Sequence, residues 1–168
     1  MKVLIDALNL IYKFPDLELC MYEDRLDEAK SGLLKILQDC SRKWKDYEFI
    51  VFIDGQRIKG DYETYQEKAN GMDVFYSHEK EADDLIREYI KENAFPNRLT
   101  LITSDKKILQ YARQFKVKYY TSEQFSEMIR LLLNEEATED PDSKPIERVS
   151  EDLEHWYKVF TQHQSQTK

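Results

Sequence analysis

The sequence predicts an α/β fold in which an open, mostly parallel sheet carries helices on both faces. Short apolar runs without polar alternation, typical of strands buried on both faces, recur along the chain. Amphipathic segments lie between these runs, and alternating strands and helices are the pattern of a parallel sheet covered on both sides. Acidic residues follow several of the runs, at the edge where open α/β sheets bind their ligands.

Five apolar runs are predicted to be strands. The first covers residues 2–5 and ends at Asp6, and the second covers residues 49–53 and is closed by Asp54 and Gly55. Runs this short fit strands better than helices. The other three are predicted over residues 72–76, 99–102 and 117–120.

Four amphipathic segments are predicted to be helices. Apolar residues recur in steps of three and four over residues 25–44, and Cys40 lies on this apolar stripe, so its thiol is expected to be buried. Thr121 and Gln124 have capping-box spacing and mark the start of a helix that ends near Asn134. The remaining two helices are predicted over residues 81–93 and 107–115.

The C-terminal part of the chain has a different composition. Residues 135–149 are acidic, contain two prolines and lack periodicity, so they are expected to link a domain over residues 1–134 to a last helix over residues 150–164. That helix would dock through one apolar stripe formed by Leu153, Trp156, Tyr157 and Phe160. Nine acidic and two basic residues lie between positions 134 and 154, so this region carries seven of the eight net negative charges. The rest of the chain is nearly neutral, which leaves room for a nucleic-acid partner.

The overall composition indicates a globular protein. Of the 168 residues, 41% are hydrophobic and 12% aromatic, more than a disordered chain would contain. No signal peptide opens the chain, and no apolar run reaches the roughly 18 residues of a membrane span, so a cytoplasmic protein without a membrane partner is expected. Cys20 and Cys40 lack CxxC spacing, and no disulfide is expected. The sequence does not indicate the oligomeric state.

Acidic residues lie beyond the ends of four predicted strands. Asp6 and Asp54 end the first two strands, and Asp105 follows the strand over residues 99–102. The helix after the third strand opens with Glu81, Asp83 and Asp84. A single acid in such a position is most often a helix cap, a turn residue or a first-turn partner of the helix dipole. Several together repel one another unless a cation bridges them. Oxygen ligands without His or Cys suit Mg²⁺ or Mn²⁺.

The same segments carry a resemblance to PIN-like nucleases. Residues 3–9, 51–55, 81–84 and 103–105 resemble the four acidic motifs of that superfamily, in the same order. The closer resemblance is to the NYN domain of YacP-like proteins, bacterial endoribonucleases of RNA decay, and it covers nearly the whole chain. That family's Asp-Gly-Tyr-Asn motif resembles Asp6-Ala7-Leu8-Asn9. Ala7 and Leu8 depart from the pattern, which affects substrate contacts rather than the proposed ligands.

The resemblance implies a metal-dependent endoribonuclease acting on RNA, most simply mRNA, and it leaves open whether the ribosome presents the substrate. Asp6, Asp83 and Asp105 would form the ligand core for Mg²⁺ or Mn²⁺. Further ligands, or groups that orient metal-bound water, would be Asp54, Glu81 and Asp84. Asn9 would position Asp6 by hydrogen bonding.

Several side chains near the expected rim of the site are candidates for RNA binding. Basic residues there could hold phosphates, although each could equally be a solvated surface charge; they are Arg57, Lys59, Lys68, Lys106 and Lys107. Tyr62 and Tyr65 could stack on bases, but packing within the fold is the simpler role.

Two other functions compete with the nuclease. The first is a non-catalytic RNA- or ribosome-binding adaptor that retains the fold; the complete acidic set argues against it, because a phosphate binder gains nothing from clustered carboxylates. The second is a phosphatase or a nucleotide-processing enzyme on another open-sheet fold. A phosphatase of that kind would carry a second aspartate two residues after the first, and Asp6-Ala7-Leu8 lacks it.

Overall fold

The computed structural model of the protein describes residues 1–55, 64–77 and 80–134, and it confirms the predicted α/β class. All five predicted strands and all four helices predicted within residues 1–134 are present. Three further elements were not predicted from the sequence: two short helices near the start of the chain and one edge strand. The elements are β1 (Lys2–Asp6), α1 (Ala7–Ile11), α2 (Pro15–Tyr22), α3 (Leu26–Lys43), β2 (Glu48–Asp54), β3 (Thr64–Ala69), β4 (Met72–Ser77), α4 (Ala82–Glu92), β5 (Leu99–Ile102), α5 (Lys106–Gln114), β6 (Lys118–Tyr120) and α6 (Ser122–Asn134), with a 3₁₀ turn at Pro96–Arg98 before β5.

The strands form one six-stranded sheet in the order β3-β4-β2-β1-β5-β6. Every neighbouring pair is parallel except β3 and β4. The central strand β1 is flanked by β2 and β5, with Lys2 in register with Glu48 on one side and with Leu99 on the other. The carboxyl ends of the five parallel strands therefore lie along the same edge of the sheet, where an α/β fold binds ligands.

The edge strand β3 pairs with β4 through a two-residue hairpin. Ala69 is opposite Met72, and the two residues between them, Asn70 and Gly71, have φ angles of 55° and 80°. Two left-handed residues in a two-residue loop match the type I′ turn, which prefers the Asn-Gly pair found here. The hairpin supplies the only antiparallel pairing in the described part of the sheet.

Both faces of the sheet are covered, which explains the continuous apolar character of its strands. In β2 the side chains of Phe49, Val51 and Ile53 belong to a core shared with α1, α2, α3 and α6. Ile50 and Phe52 point to the opposite core, which α4 and α5 cover. The prediction of helices on both faces is confirmed.

The short helix α2 packs closely against α3. Pro15 occupies the first turn of α2. Backbone N–H groups there have no acceptor within the helix, so the missing N–H of proline costs no hydrogen bond. A Cβ atom added at Gly32 of α3 would lie 2.5 Å from Cδ2 of Leu17, so a larger residue at this point would require the Leu17 side chain to shift. The Leu17 side chain is buried at this contact.

The last described helix, α6, begins with the predicted capping box. The Thr121 N–H donates to Oε1 of Gln124 at 2.9 Å, and the Gln124 N–H donates to Oγ1 of Thr121 at 3.2 Å. The predicted burial of Cys40 is also confirmed, and burial raises the pKa of its thiol to about 12. Across the described ranges, no helix has the length and apolar character needed to cross a membrane.

The predicted linker over residues 135–149 and the predicted helix over residues 150–164 lie outside the described residues, so their docking stays a prediction. Truncation after Asn134 should lower the melting temperature by several degrees, because the apolar stripe of the helix would no longer bury its area. Thermal unfolding of residues 1–134 and of the full chain tests this, with truncation after Gln164 as the control that removes only polar residues. Equal melting temperatures for the three proteins would show that the helix does not dock.

Candidate active site

The site is built on the edge of the sheet where β1, β2 and β5 end. Asp6 is the last residue of β1 and Asp54 the last of β2, on neighbouring parallel strands. Asp105 is the N-cap of α5, directly after β5, and Asp83 lies in the first turn of α4, after β4. The four predicted aspartates therefore lie at the same end of the sheet.

Asp6 is the most deeply buried of these acids, with 3% of its surface exposed. Its Oδ2 accepts hydrogen bonds from Nδ2 of Asn9 at 2.9 Å and from Oγ1 of Thr103 at 2.8 Å, and its Oδ1 accepts a long one from the Asn9 N–H at 3.4 Å. Burial raises the pKa of Asp6, and the bonds from Thr103 and Asn9 oppose the shift. The carboxylate is thus held in one orientation at the end of β1.

Thr103 links Asp6 to Asp105. Its Oγ1 donates to Asp6 and accepts from the Asp105 N–H at 3.1 Å. The Asp105 side chain caps α5, because its Oδ1 accepts from the N–H groups of Lys107 at 2.7 Å and Ile108 at 3.2 Å. A capping role, the simpler explanation for an acid after a strand, is therefore real for Asp105. It coexists with the contact through Thr103, which joins the backbone N–H of Asp105 to the carboxylate of Asp6.

Asp54 connects β2 to the start of α4. Its Oδ1 accepts from the Ala82 N–H at 2.6 Å and from Oγ of Ser77 at 3.1 Å. Because Ala82 is the first residue of α4, this bond fixes the helix start relative to the sheet. Asp83, the next residue, is placed by the same contact.

The electrostatics of Asp83 show that the four carboxylates influence one another. The pKa of Asp83 is raised to about 6, first by partial burial and then by the negative charges of Asp6, Asp105 and Asp54, while Arg87 lowers it. The part of the shift that comes from the other three carboxylates indicates that Asp83 lies in a region of negative potential. Such a region attracts cations.

Glu81 and Asp84 have more open surroundings than Asp83. Glu81 is exposed and precedes the first residue of α4, with no side-chain cap hydrogen bond. Asp84 is exposed, and its Oδ1 lies 4.0 Å from Nη1 of Arg87. Both side chains are therefore more exposed than that of Asp83, which is partly buried.

The chemistry of the donor set fits a hard divalent cation, because the grouped side chains offer carboxylate oxygens only. Within residues 1–55, 64–77 and 80–134, however, no three His, Cys, Asp or Glu side chains are close enough to form a finished metal site. The described acids therefore share one edge of the sheet without forming a finished cluster of three ligands.

The predicted RNA-binding residues are only partly within the described chain. Lys106 and Lys107 are exposed in the first turn of α5, beside Asp105. Arg57, Lys59 and Tyr62 lie outside the described residues, as does the side-chain environment of Tyr65.

The placement of Lys68 near the rim of the site was wrong. Lys68 is opposite Asp73 in the β3–β4 hairpin, and its Nζ lies 3.6 Å from Oδ1 of that residue. Asp73 is in register with Ile50, near the start of β2, whereas Asp54 ends that strand. The antiparallel direction of β3, which was not predicted from the sequence, carries Lys68 away from the acidic edge.

Lys30 of α3, which is 8% exposed, was not predicted as a residue of this edge. Its Nζ would lie 3.4 Å from a Cβ atom added at Gly55, the residue after Asp54. A signal existed in the sequence: Lys30 is four residues after Leu26 and four before Leu34, so it occupies the apolar stripe of the predicted helix.

An open sheet with aspartates at the carboxyl ends of its parallel strands fits the class of PIN-like nucleases that the sequence motifs indicated. The profile of the YacP-like NYN domain matches residues 3–162, nearly the whole chain. The chain belongs to the YacP-like NYN family of that superfamily. This membership supports a nuclease-type role related to RNA.

Two solved structures resemble the fold. The crystal structure of Rae1 (YacP) from Bacillus subtilis has a TM-score of 0.60 and 17% identity, with 98% of this chain and 95% of that chain covered. A tryptophan-to-leucine mutant of that same protein gives a TM-score of 0.59 and 17% identity, with 95% and 92% covered. At this identity the likeness shows the fold alone. No curated protein matches the sequence.

Proposed function

We propose that this protein is a Mg²⁺- or Mn²⁺-dependent endoribonuclease that cleaves RNA phosphodiester bonds, in mRNA decay or RNA processing. The observation that carries the proposal is the placement of four aspartates, Asp6, Asp54, Asp83 and Asp105, at the same end of the sheet. The pKa of Asp83, raised first by burial and then by the charges of the other three, supports it. Carboxylates grouped at the ligand edge of a sheet destabilise an empty site, and a bound cation removes the repulsion. Family membership supports phosphodiester hydrolysis as the reaction.

The proposed roles follow from the contacts. Asp6, Asp83 and Asp105 would hold the cation, with Asn9 and Thr103 fixing the orientation of Asp6. When bound, the divalent cation supplies an activated water and offsets charge developing on the phosphodiester. Further carboxylates would bind the cation or orient its water molecules: Asp54, Glu81 and Asp84.

Asp54 has a second proposed role that needs no metal contact. Its bond to the Ala82 N–H sets the position of α4, and so of Asp83, relative to β2. Because Oδ1 already accepts two hydrogen bonds, Oδ2 is the oxygen available to face the cation. Asp54 would therefore orient the site as well as contribute charge.

RNA as the substrate comes from the family. Phosphates next to the scissile bond would be held by Lys106 and Lys107, which are exposed on α5, together with Arg57 and Lys59, which follow β2 in the sequence. Among the described residues, the acids of the site outnumber the nearby basic side chains, so free RNA should bind weakly. Presentation of mRNA by the ribosome, in the cytoplasm, would overcome weak binding by raising the local RNA concentration.

A non-catalytic RNA- or ribosome-binding adaptor is the second candidate. It is favoured by one observation, the absence of a finished three-ligand arrangement among the described residues. The adaptor would bind RNA or ribosomes without consuming substrate.

A metal titration followed by an RNA cleavage assay, with and without ribosomes, tests the two candidates. We expect internal cleavage that requires Mg²⁺ or Mn²⁺ and stops with EDTA. A control variant, Asp46→Asn, changes an exposed acid next to β2's amino end, away from the site, and should cleave like the parent. Binding of RNA or ribosomes without cleavage at any metal concentration would establish the adaptor instead.

A further inference from the structure

Lys30 is an internal lysine at the acidic edge of the sheet. It lies on the buried side of α3, next to Ala29 and one turn before Leu33 and Leu34, all of which are buried. Only 8% of its surface is exposed, so its methylene stem is covered by the core. A side chain of this kind delivers its ammonium group to a defined place.

That place is the end of β2. A Cβ atom added at Gly55 would lie 3.4 Å from Nζ of Lys30, so the ammonium group lies against the backbone directly after Asp54. Gly55 has a φ of 101°, in the left-handed region that favours glycine, and its missing side chain leaves the ammonium group room. Lys30 thus reaches the acidic edge from the α3 side of the sheet, whereas Asp83 reaches it from α4.

Among the described residues, Nζ of Lys30 makes no hydrogen bond and no ion pair, and Asp27 and Asp54 act on it only through their charges. Burial of the side chain lowers the pKa of Lys30, and the negative charges of Asp27 and Asp54 oppose this shift. A stability role alone does not account for a lysine here, since a leucine or methionine would fill the same apolar position.

We propose that Lys30 is a substrate-binding residue whose ammonium group contacts a phosphate of the RNA backbone at the end of β2, on the α3 side of the acidic edge. The inference rests on the proposed function for the identity of the ligand. A phosphodiester approaching four aspartates meets a negative potential, and a fixed cation beside Asp54 offsets it. The contact supplies the hydrogen-bond acceptors that the ammonium group lacks within the described residues.

The test compares Lys30→Met, which keeps the stem and removes the charge, with Lys30→Arg, which keeps the charge. Lys35→Met, an exposed lysine of the same helix, is the matched control. Binding of a short fluorescein-labelled single-stranded RNA of mixed sequence is measured by anisotropy in EDTA over a series of salt concentrations. Cleavage by each variant with Mg²⁺ or Mn²⁺ is measured separately.

We expect Lys30→Met to weaken RNA binding about tenfold or more, the usual loss when a hydrogen bond to a charged group is removed. The slope of log affinity against log salt should also fall by about 0.7, the value for one phosphate contact on a single strand. Lys30→Arg should retain most of the affinity, and Lys35→Met should change neither quantity appreciably.

A second measurement applies to the unmodified protein, in case Lys30→Met does not fold. Acylation of lysines, read by mass spectrometry with and without the same RNA, should show RNA-dependent protection of Lys30 and not of Lys35. Parental affinity and salt slope in a folded Lys30→Met protein, or acylation of Lys30 unaffected by bound RNA, would overturn the proposal. If the parent cleaves RNA in either case, only this inference fails; if the parent neither binds nor cleaves RNA, the proposed function fails with it.

Discussion

Asp83→Asn is expected to abolish metal-dependent RNA cleavage while leaving the protein at least as stable as the parent. The substitution keeps the shape of the side chain and removes the charge that would hold the cation. In the cation-free parent, the carboxyl group of Asp83 is partly buried and surrounded by the charges of Asp6, Asp54 and Asp105. Removing one charge from that group relieves repulsion, so function and stability oppose each other at this residue.

The pH dependence of stability gives this prediction a sharper form. The pKa of Asp83 is about 6 in the folded protein, above its ordinary value of 3.8. A carboxyl with a raised pKa stabilises the folded state when protonated, and this contribution is lost as the pH rises through 6. The parent in EDTA should therefore match Asp83→Asn in stability near pH 4 and become the less stable of the two above pH 6.

Urea unfolding of both proteins in EDTA, at acidic and neutral pH, measures the difference. Glu88→Gln is the control on the same helix, since Glu88 is exposed and its Oε1 pairs with Nζ of Lys80 at 2.8 Å. If Asp83 only favours the dipole of α4, its loss should instead cost roughly 0.3–1 kcal/mol at neutral pH and spare activity. A destabilised Asp83→Asn protein that cleaves RNA at the parental rate would contradict the metal assignment.

The strands and long helices could be predicted because each leaves a local pattern. β1, β2 and β5 are buried on both faces and read as uninterrupted apolar runs, while α3 and α4 repeat their apolar residues with helical periodicity. The helix α1 is too short for periodicity, and it starts through the local bonds between Asp6 and Asn9. The hairpin was missed although Asn70-Gly71 is a strong turn signal.

For the candidate site, the sequence predicted which strand ends carry acids but not the contacts between them. An acid after a strand in an α/β fold points to one edge of the sheet, and that rule grouped Asp6, Asp54 and Asp105. The contacts between them depend on strand order, with β1 between β2 and β5, which the sequence does not state. The bond from Ala82 to Asp54 and the approach of Lys30 to Gly55 join residues distant in sequence.

Phe125→Ala is expected to be among the most destabilising single substitutions outside the site. Phe125 is fully buried, and its ring centroid lies 6.0 Å from that of Trp44 and 6.4 Å from that of Phe49. These three rings join α6 to the end of α3 and to β2. Replacing a buried phenylalanine by alanine lowers the free energy of unfolding by about 3–5 kcal/mol, because apolar contacts are lost and a cavity remains.

Loss of this aromatic anchor should also disturb the acidic edge of the sheet, because α6 contacts the segment between β5 and α5. The carboxylate of Glu123, in the first turn of α6, accepts a hydrogen bond from Oγ of Ser104, the residue between Thr103 and Asp105, and it pairs with Nζ of Lys13 at 2.6 Å. These contacts hold the pKa of Glu123 at about 2. Urea unfolding measures the main effect, and Phe95→Ala, which removes an exposed ring, should stay within about 0.5 kcal/mol of the parent. A loss below about 1 kcal/mol for Phe125→Ala, against the range for buried aromatic residues, would mean that α6 is anchored by contacts other than this aromatic cluster.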